Sequence, residues 1–290
     1  MVTYQNVSAR ALLVNLSISF WSARKFDRRA TAEVNERHDA AVDAGRYNKH
    51  LLVGAAAHKR AIDTAGAARA VHYQETLPWT DEGRRLLPTA NYMTYVNVMR
   101  KEREAFDLAV DNFIDEYPAL REQARLRLGS LYDEADFPSA QVVRSKFSWS
   151  LDFSPVPSSG DVRVDLPADQ LSAIEASLTE RAEAATRLAM EDAWGRLHEA
   201  VARIKKAAGK DGVVRGTLIE HARETIDMLG RLNVAEDENL DLMRRRVEAE
   251  LTAISVEDLR KDDVLRADTE RRAANIMAAM SGFFSSPVAA

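Results

Sequence analysis

ADQLSAIEASLTERAEAATRLAMEDAWGRLHEAVARIKKAA, residues 168–208, carries Leu171, Ile174, Leu178, Ala182, Ala185, Leu188, Leu197, Val201 and Ile204 on one three- and four-residue rhythm. That rhythm puts apolar side chains on one face of an α-helix for some forty residues. At a rise of 1.5 Å per residue such a helix is about 60 Å long, more than a compact domain's diameter. It therefore needs partner helices along much of its length. Gly209-Lys210-Asp211-Gly212 ends it, and further helices are expected over about 215–232 and 237–254. Ser255, with Asp258 three residues on, resembles a capping box and starts a last helix running to about residue 281. Between Pro167 and Pro287 there is no proline, and between Pro167 and Phe283 the only aromatic residue is Trp194. Residues 167–290 are accordingly expected to form an antiparallel long-helix bundle or coiled-coil arm.

The preceding half has the opposite character. Val14, Leu16, Ile18 and Phe20 alternate with Asn15, Ser17 and Ser19, the period of a strand with one wet face. The same period returns at Phe147, Trp149, Leu151 and Phe153, and at Val162, Val164 and Leu166, across the turn-forming Pro155-Val156-Pro157-Ser158-Ser159-Gly160. Strands are expected near 13–20, 147–153 and 161–166, closing residues 1–166 into one α+β domain with a small sheet. Helices are expected over 29–43, 48–71 and 92–117, with Pro118 ending the last and another helix reaching Leu131. The fold class is mostly α with a small β-sheet.

Composition narrows the function classes. The 290 residues are 46% hydrophobic and 29% charged, ordinary for one or two folded domains. The chain has no cysteine, which removes disulfides, thiolate nucleophiles and Cys-ligated zinc and fits a reducing, cytoplasmic compartment. No apolar run approaches the roughly 18 residues that span a bilayer, and no membrane partner is expected. Net charge is −5 but uneven. Residues 1–72 hold eleven Arg/Lys against six Asp/Glu, and residues 151–290 hold nineteen against twenty-six. Only the first quarter offers a basic surface of the kind nucleic acid needs.

Catalytic signatures are missing. Gly54-Ala55-Ala56-Ala57-His58-Lys59 lacks the second glycine of a phosphate loop, and there is no dinucleotide fingerprint, nucleophile elbow or His-Glu-x-x-His. None of the six histidines follows a Glu by three residues, so the di-metal bundle motif is absent too. No catalytic residue, metal or cofactor is assigned, and the chain is not expected to be an enzyme. Two segments do offer binding chemistry. Residues 71–92 combine two prolines, Tyr73, Trp79, Arg84, Arg85 and Tyr92 between helices. The aromatics are placed to stack on bases or clamp a partner while the arginines meet phosphate or carboxylate; equally, Trp79 and Leu86-Leu87 plug the core. Arg24, Lys25, Arg28 and Arg29 follow the first strand, with Trp21 and Phe26 interleaved. They either track a nucleic-acid backbone or form a charged first helical turn.

Leu16-Ser17-Ile18-Ser19-Phe20-Trp21, Thr76-Leu77-Pro78-Trp79, Gly83-Arg84-Arg85-Leu86-Leu87-Pro88, Asn91-Tyr92 and Phe153-Ser154-Pro155-Val156-Pro157 carry a likeness to a known family. Thr217-Leu218-Ile219-Glu220, Leu229-Gly230-Arg231-Leu232-Asn233 and Leu265-Arg266-Ala267-Asp268 extend it over nearly the whole chain. The chain resembles uncharacterised proteins of unknown function found mostly in tailed phages and prophages. The resemblance implies a setting, the cytoplasm of a bacterial host, and transfers no activity. The leading expectation is a non-enzymatic helical interaction or scaffold protein that self-associates or docks a phage or host protein through its long C-terminal helices. Next comes a single-stranded DNA-binding or annealing factor using Trp21, the 24–29 cluster and the 73–92 segment. Third is an enzyme with His72, Glu75 or Asp81 in acid–base roles.

Overall fold

The computed structural model describes residues 7–79, 83–158 and 167–284. In chain order these form α1 (Val7–Arg10), β1 (Ala11–Ser19), β2 (Arg24–Phe26), α2 (Arg28–Arg37), β3 (Asn48–His50), α3 (Ala56–Gln74), β4 (Leu77–Pro78), β5 (Arg85–Pro88) and α4 (Tyr92–Leu128). They continue with α5 (Ala140–Arg144), β6 (Ser148–Pro155), α6 (Ala168–Ala208), α7 (Leu218–Leu232), α8 (Glu238–Val247), α9 (Val256–Lys261) and α10 (Asp263–Phe284). The fold is mostly helical with a small antiparallel sheet, as the hydrophobic periods require. Four strands form that sheet in the order β4-β5-β1-β6, and β2 and β3 make a separate two-stranded ribbon.

The chain divides into two compact units, each assembled from separated segments: residues 1–15, 73–95 and 152–290 in one, 16–72 and 96–151 in the other. This differs from the boundary expected at residue 166. Composition changes at Pro167, but strands β4 and β5 and the start of β1 pack with the helices that follow it. In this first unit, Ala11↔Pro88, Leu12↔Leu87, Leu13↔Leu86 and Val14↔Arg85 pair β1 with β5, and Leu77↔Leu86 pairs β4 with β5. Leu13, Leu77, Trp79 and Leu86 join one core with Leu197, Val201 and Ile204 of α6, Ile226 and Leu229 of α7, Leu240 and Val247 of α8, and Ile276 and Met280 of α10. Small residues at Ala189 and Ala193 of α6 and Ala273 of α10, all fully buried, let the helices approach closely.

The second unit packs the alanine face of α3 (Ala57, Ala61, Ala65, Ala68) with Phe106, Val110, Phe113 and Tyr117 of α4 and Phe147. Small residues on one helix thus face rings on the other. His58 of α3 sits among them, its Nε2 donating to the Trp21 carbonyl at 2.8 Å, with Phe113 5.1 Å away between ring centres. Burial holds this imidazole below its ordinary pKa, against the opposing pull of the Trp21 carbonyl.

Several elements differ from expectation for physical reasons. α2 stops at Arg37, where Asp39 takes a left-handed φ of 48° and the Asn35 amide turns back to the Val42 carbonyl. Residues 48–50 are strand rather than helix; β3 pairs with β2, and the helix starts only after Gly54 at φ +73°. Pro118 does not end α4, which runs 37 residues through it. A proline ring fits helical φ and sacrifices one backbone bond; Leu120 and Ala124 beyond it are buried and carry the helix on. The helix expected over 237–254 relaxes after Val247 into a π-turn at Glu248–Thr252. The final helix is two, because Asp262 leaves helical geometry and its Oδ1 caps the N–H groups of Val264 and Leu265. The strand expected at 161–166 lies outside the described residues.

Candidate functional site

Within the 73–92 segment β4 and β5 pair as antiparallel strands. Its arginines divide. Arg84 is exposed, whereas Arg85 turns onto the C-terminal end of α3, where carbonyls lack helical partners. Arg85 donates Nε to Thr76 Oγ1 at 2.7 Å and Nη2 to the Thr76 carbonyl at 3.0 Å. Arg196 of α6 reaches the same end, donating to the carbonyls of Gln74 at 2.5 Å, Thr76 at 2.8 Å and Tyr73 at 3.0 Å. Two guanidinium groups therefore cap one helix terminus. Burial, and then the Arg196 charge, lower the Arg85 pKa from its ordinary value.

The aromatic residues divide in the same way. Trp79 is 8% exposed and belongs to the core. Tyr92 meets Phe153 edge-on at 5.6 Å, and Tyr73 lies 4.7 Å under the Arg85 guanidinium with its outer side in solvent. The clamp expected from Tyr73, Trp79, Tyr92, Arg84 and Arg85 is thus taken apart, leaving Tyr73 and Arg84 outward. Glu75 is committed as well: buried Asn91 donates Nδ2 to the Glu75 carbonyl at 2.8 Å and to its Oε2 at 2.9 Å, and accepts from Arg231 Nε at 2.8 Å. His72 is buried, and Asp81 lies outside the described residues.

The basic cluster spans two elements rather than one helical turn. Arg24 and Lys25 lie on β2, Arg28 and Arg29 open α2, and Asp27 between them is the N-cap, accepting from the Ala30 N–H at 3.0 Å. Lys25 stands 3.9 Å from Asp136, and Arg29 donates to the Ser130 carbonyl at 2.8 Å. Trp21 is half-buried, edge-on to Tyr117 at 5.8 Å, and so packs inward rather than offering an open stacking face. Beside the cluster lies a feature that the sequence did not single out. Lys49 of β3 is 5% exposed, with Nζ 2.7 Å from Asp136 Oδ2, 3.0 Å from Asp27 Oδ2 and donating to the Leu131 carbonyl at 2.8 Å. The Ala30 N–H, and next Lys49, hold Asp27 below its ordinary pKa. Lys49 itself is pushed down by burial and up by its two carboxylates, with a net rise. A lysine between two polar neighbours gives no periodic signal, so nothing local could have flagged it.

The surface with the clearest capacity for interaction is on α6. Its stripe is buried from Ala185 to Ala208 except at Leu188, 44% exposed; before Ala185, Ile174 is 38% exposed and Leu171 and Leu178 are half-buried. Residues 168–184 thus extend the apolar face by about 25 Å beyond the fully buried part. Among the described residues no three His, Cys, Asp or Glu side chains cluster as a metal site, and no helix is long and apolar enough to cross a membrane. No protein family, curated protein or solved structure matches this chain.

Proposed function

We propose that this is a non-enzymatic helical interaction or scaffold protein, of phage or prophage origin, that self-associates or docks a helical partner along the first part of α6. The observation that carries the reading is the apolar stripe itself, which continues over Leu171, Ile174 and Leu178 after its burial in the bundle has ended. A helix facing only water has no use for such a stripe; a second helix laid along it would extend the bundle's own packing. The phage setting rests on the resemblance described above.

The test is the solution mass of the full chain and of Leu171→Ser/Ile174→Ser/Leu178→Ser, by light scattering across a concentration series. The expected result is an oligomer for the parent and a monomer of unchanged thermal stability for the variant. A parent that stays monomeric at every concentration, and whose behaviour the substitutions leave unaltered, would remove the self-association reading.

A further inference from the structure

The turn between α6 and α7 is built unusually tightly. Gly212 lies against the last turn of α6, where any Cβ would overlap the carbonyl groups of Lys206 and Ala207. Arg266 of α10 donates to the carbonyls of Gly209 at 2.8 Å and Gly212 at 2.9 Å, and Arg260 donates to that of Val214 at 2.9 Å. Lysines near a helix C-terminus ordinarily serve the last carbonyls. Here Arg266 serves the turn and the Ala207 carbonyl, and among the described residues the side chains of Lys205, Lys206, Lys210 and Arg215 make no hydrogen bond or ion pair. These four cations line one end of a cleft of about 1290 Å³ between α6 and α7.

The rest of the cleft narrows the choice of ligand. Elsewhere in its lining Arg203 pairs with Glu199, and His221 Nδ1 lies 3.2 Å from Glu224 Oε2. Its floor includes the buried apolar side chains Ala200, Ala222 and Met228. Asp211 and Glu270 border the turn end, so four cations face two carboxylates there. Among the described residues no Phe, Tyr or Trp lines the cleft, so they offer none of the stacking surfaces with which proteins hold single-stranded nucleic acid. The start of α7 opens onto the same end, and Thr217 at its N-cap makes no side-chain bond to the helix.

We propose that the turn end of this cleft binds the phosphate groups of a phosphorylated small molecule, with Lys206, Lys210 and Arg215 as the principal contacts and the rest of the ligand over Ala200, Ala222 and Met228. The site is independent of the α6 docking face, since its residues begin past the half-buried part of that helix.

Titration calorimetry on the full chain at low salt, with inorganic pyrophosphate and separately with ATP, tests this. Saturable binding of at least one of them is expected. Affinity should fall about tenfold or more in Lys206→Ala/Lys210→Ala/Arg215→Ala, as loss of charge-assisted contacts implies. Lys206→Arg/Lys210→Arg should retain it, and Arg271→Ala/Arg272→Ala should not alter it. ATP binding more tightly than pyrophosphate supports a ligand whose body uses the apolar floor; equal affinities support a site for the phosphate groups of a smaller ligand. Absence of binding to both, or binding that the triple substitution leaves intact, overturns the proposal. A single-stranded oligonucleotide that binds more tightly than either and is lost in the same variant also overturns it, replacing the small molecule with a polymer.

Discussion

Replacing Lys49 with methionine removes the cation from between Asp27 and Asp136 while keeping most of the side-chain volume. The ammonium lies 3.0 Å from one carboxylate and 2.7 Å from the other, with both side chains only 10% exposed. Breaking a buried pair from one side usually costs about 3–5 kcal/mol, because the remaining charge stays in a poorly solvated place. Asp27 keeps the Ala30 N–H and Asp136 keeps Lys25 at 3.9 Å, so the middle of that range is expected. On a chain of this size a loss of about 4 kcal/mol lowers Tm by roughly 10 °C.

The pH dependence separates this mechanism from simple loss of packing. Asp27 titrates below its ordinary 3.8 in the folded protein, so its contribution is complete above that value and is lost as pH falls through the lowered one. Lys49 titrates above its ordinary 10.5, so its contribution is complete below that value and is lost as pH rises through the raised one. The parent should therefore hold a stability plateau between these limits with respect to this triad. In Lys49→Met the Asp27 carboxylate loses one of the groups that hold its pKa down, so the deficit should be constant above 3.8 and shrink as pH falls below it. Urea unfolding followed by tryptophan fluorescence at several pH values measures both. A deficit below about 1 kcal/mol, or one that does not change with pH, would refute a buried charge triad.

Other expectations follow from single contacts. His58→Gln should flatten an acid-side loss of stability: the parent's buried imidazole titrates below its ordinary 6.5, so its contribution is complete above 6.5 and fades as pH drops through the lowered value, which urea midpoints from pH 8 to 5 would record. Asp237→Ala removes the α8 cap, with Oδ1 2.9 Å from the Asn239 N–H, and the bond from Trp194 Nε1 at 2.9 Å; about 2 kcal/mol should be lost in urea unfolding. Gly212→Ala forces the α6–α7 turn off the Lys206 and Ala207 carbonyls and should cost about 1–3 kcal/mol, seen as a lower denaturation midpoint. Pro118→Ala restores a donor in the interior of α4 and should raise Tm, the reverse of most core-helix substitutions.

Periodicity made the helices and the two described period-two strands legible. The stripe from Leu171 to Ile204 located α6, which extends it by a turn at each end, and the alternation at 14–20 located β1. Short elements escaped, because a three-residue strand such as β3 has no period to read and is specified by pairing with β2. Pro118 was misleading for a related reason: local chemistry says stop, while the burial of Leu120 and Ala124 beyond it says continue. The binding residues were the least legible. Arginine and tryptophan have the same letters whether they face a ligand or cap a helix, and the distinction for Arg85 lay in Arg196, more than a hundred residues away. Tyr73, Arg84, Arg24 and Arg28 remain outward, while Trp21, Trp79 and Arg85 are held by their own fold. The cations at 205–215 carry no signal in the net charge, because the acidic half around them outweighs a local excess.

The interleaved order of segments has a consequence for how the chain comes off the ribosome. Everything the second unit contains has been made once residue 151 is synthesised. The first unit, in contrast, joins Val7, Ala11 and Leu13 to Ile276 and Met280 in one core. At usual elongation rates of about 5–20 residues per second, that leading strand waits on the order of tens of seconds for its last partners. During that interval Leu12-Leu13-Val14 is an apolar strand liable to premature pairing, and yield becomes a contest between translation speed and chaperone capture. A chain stopped ahead of α10 keeps every residue of one unit and never closes the other.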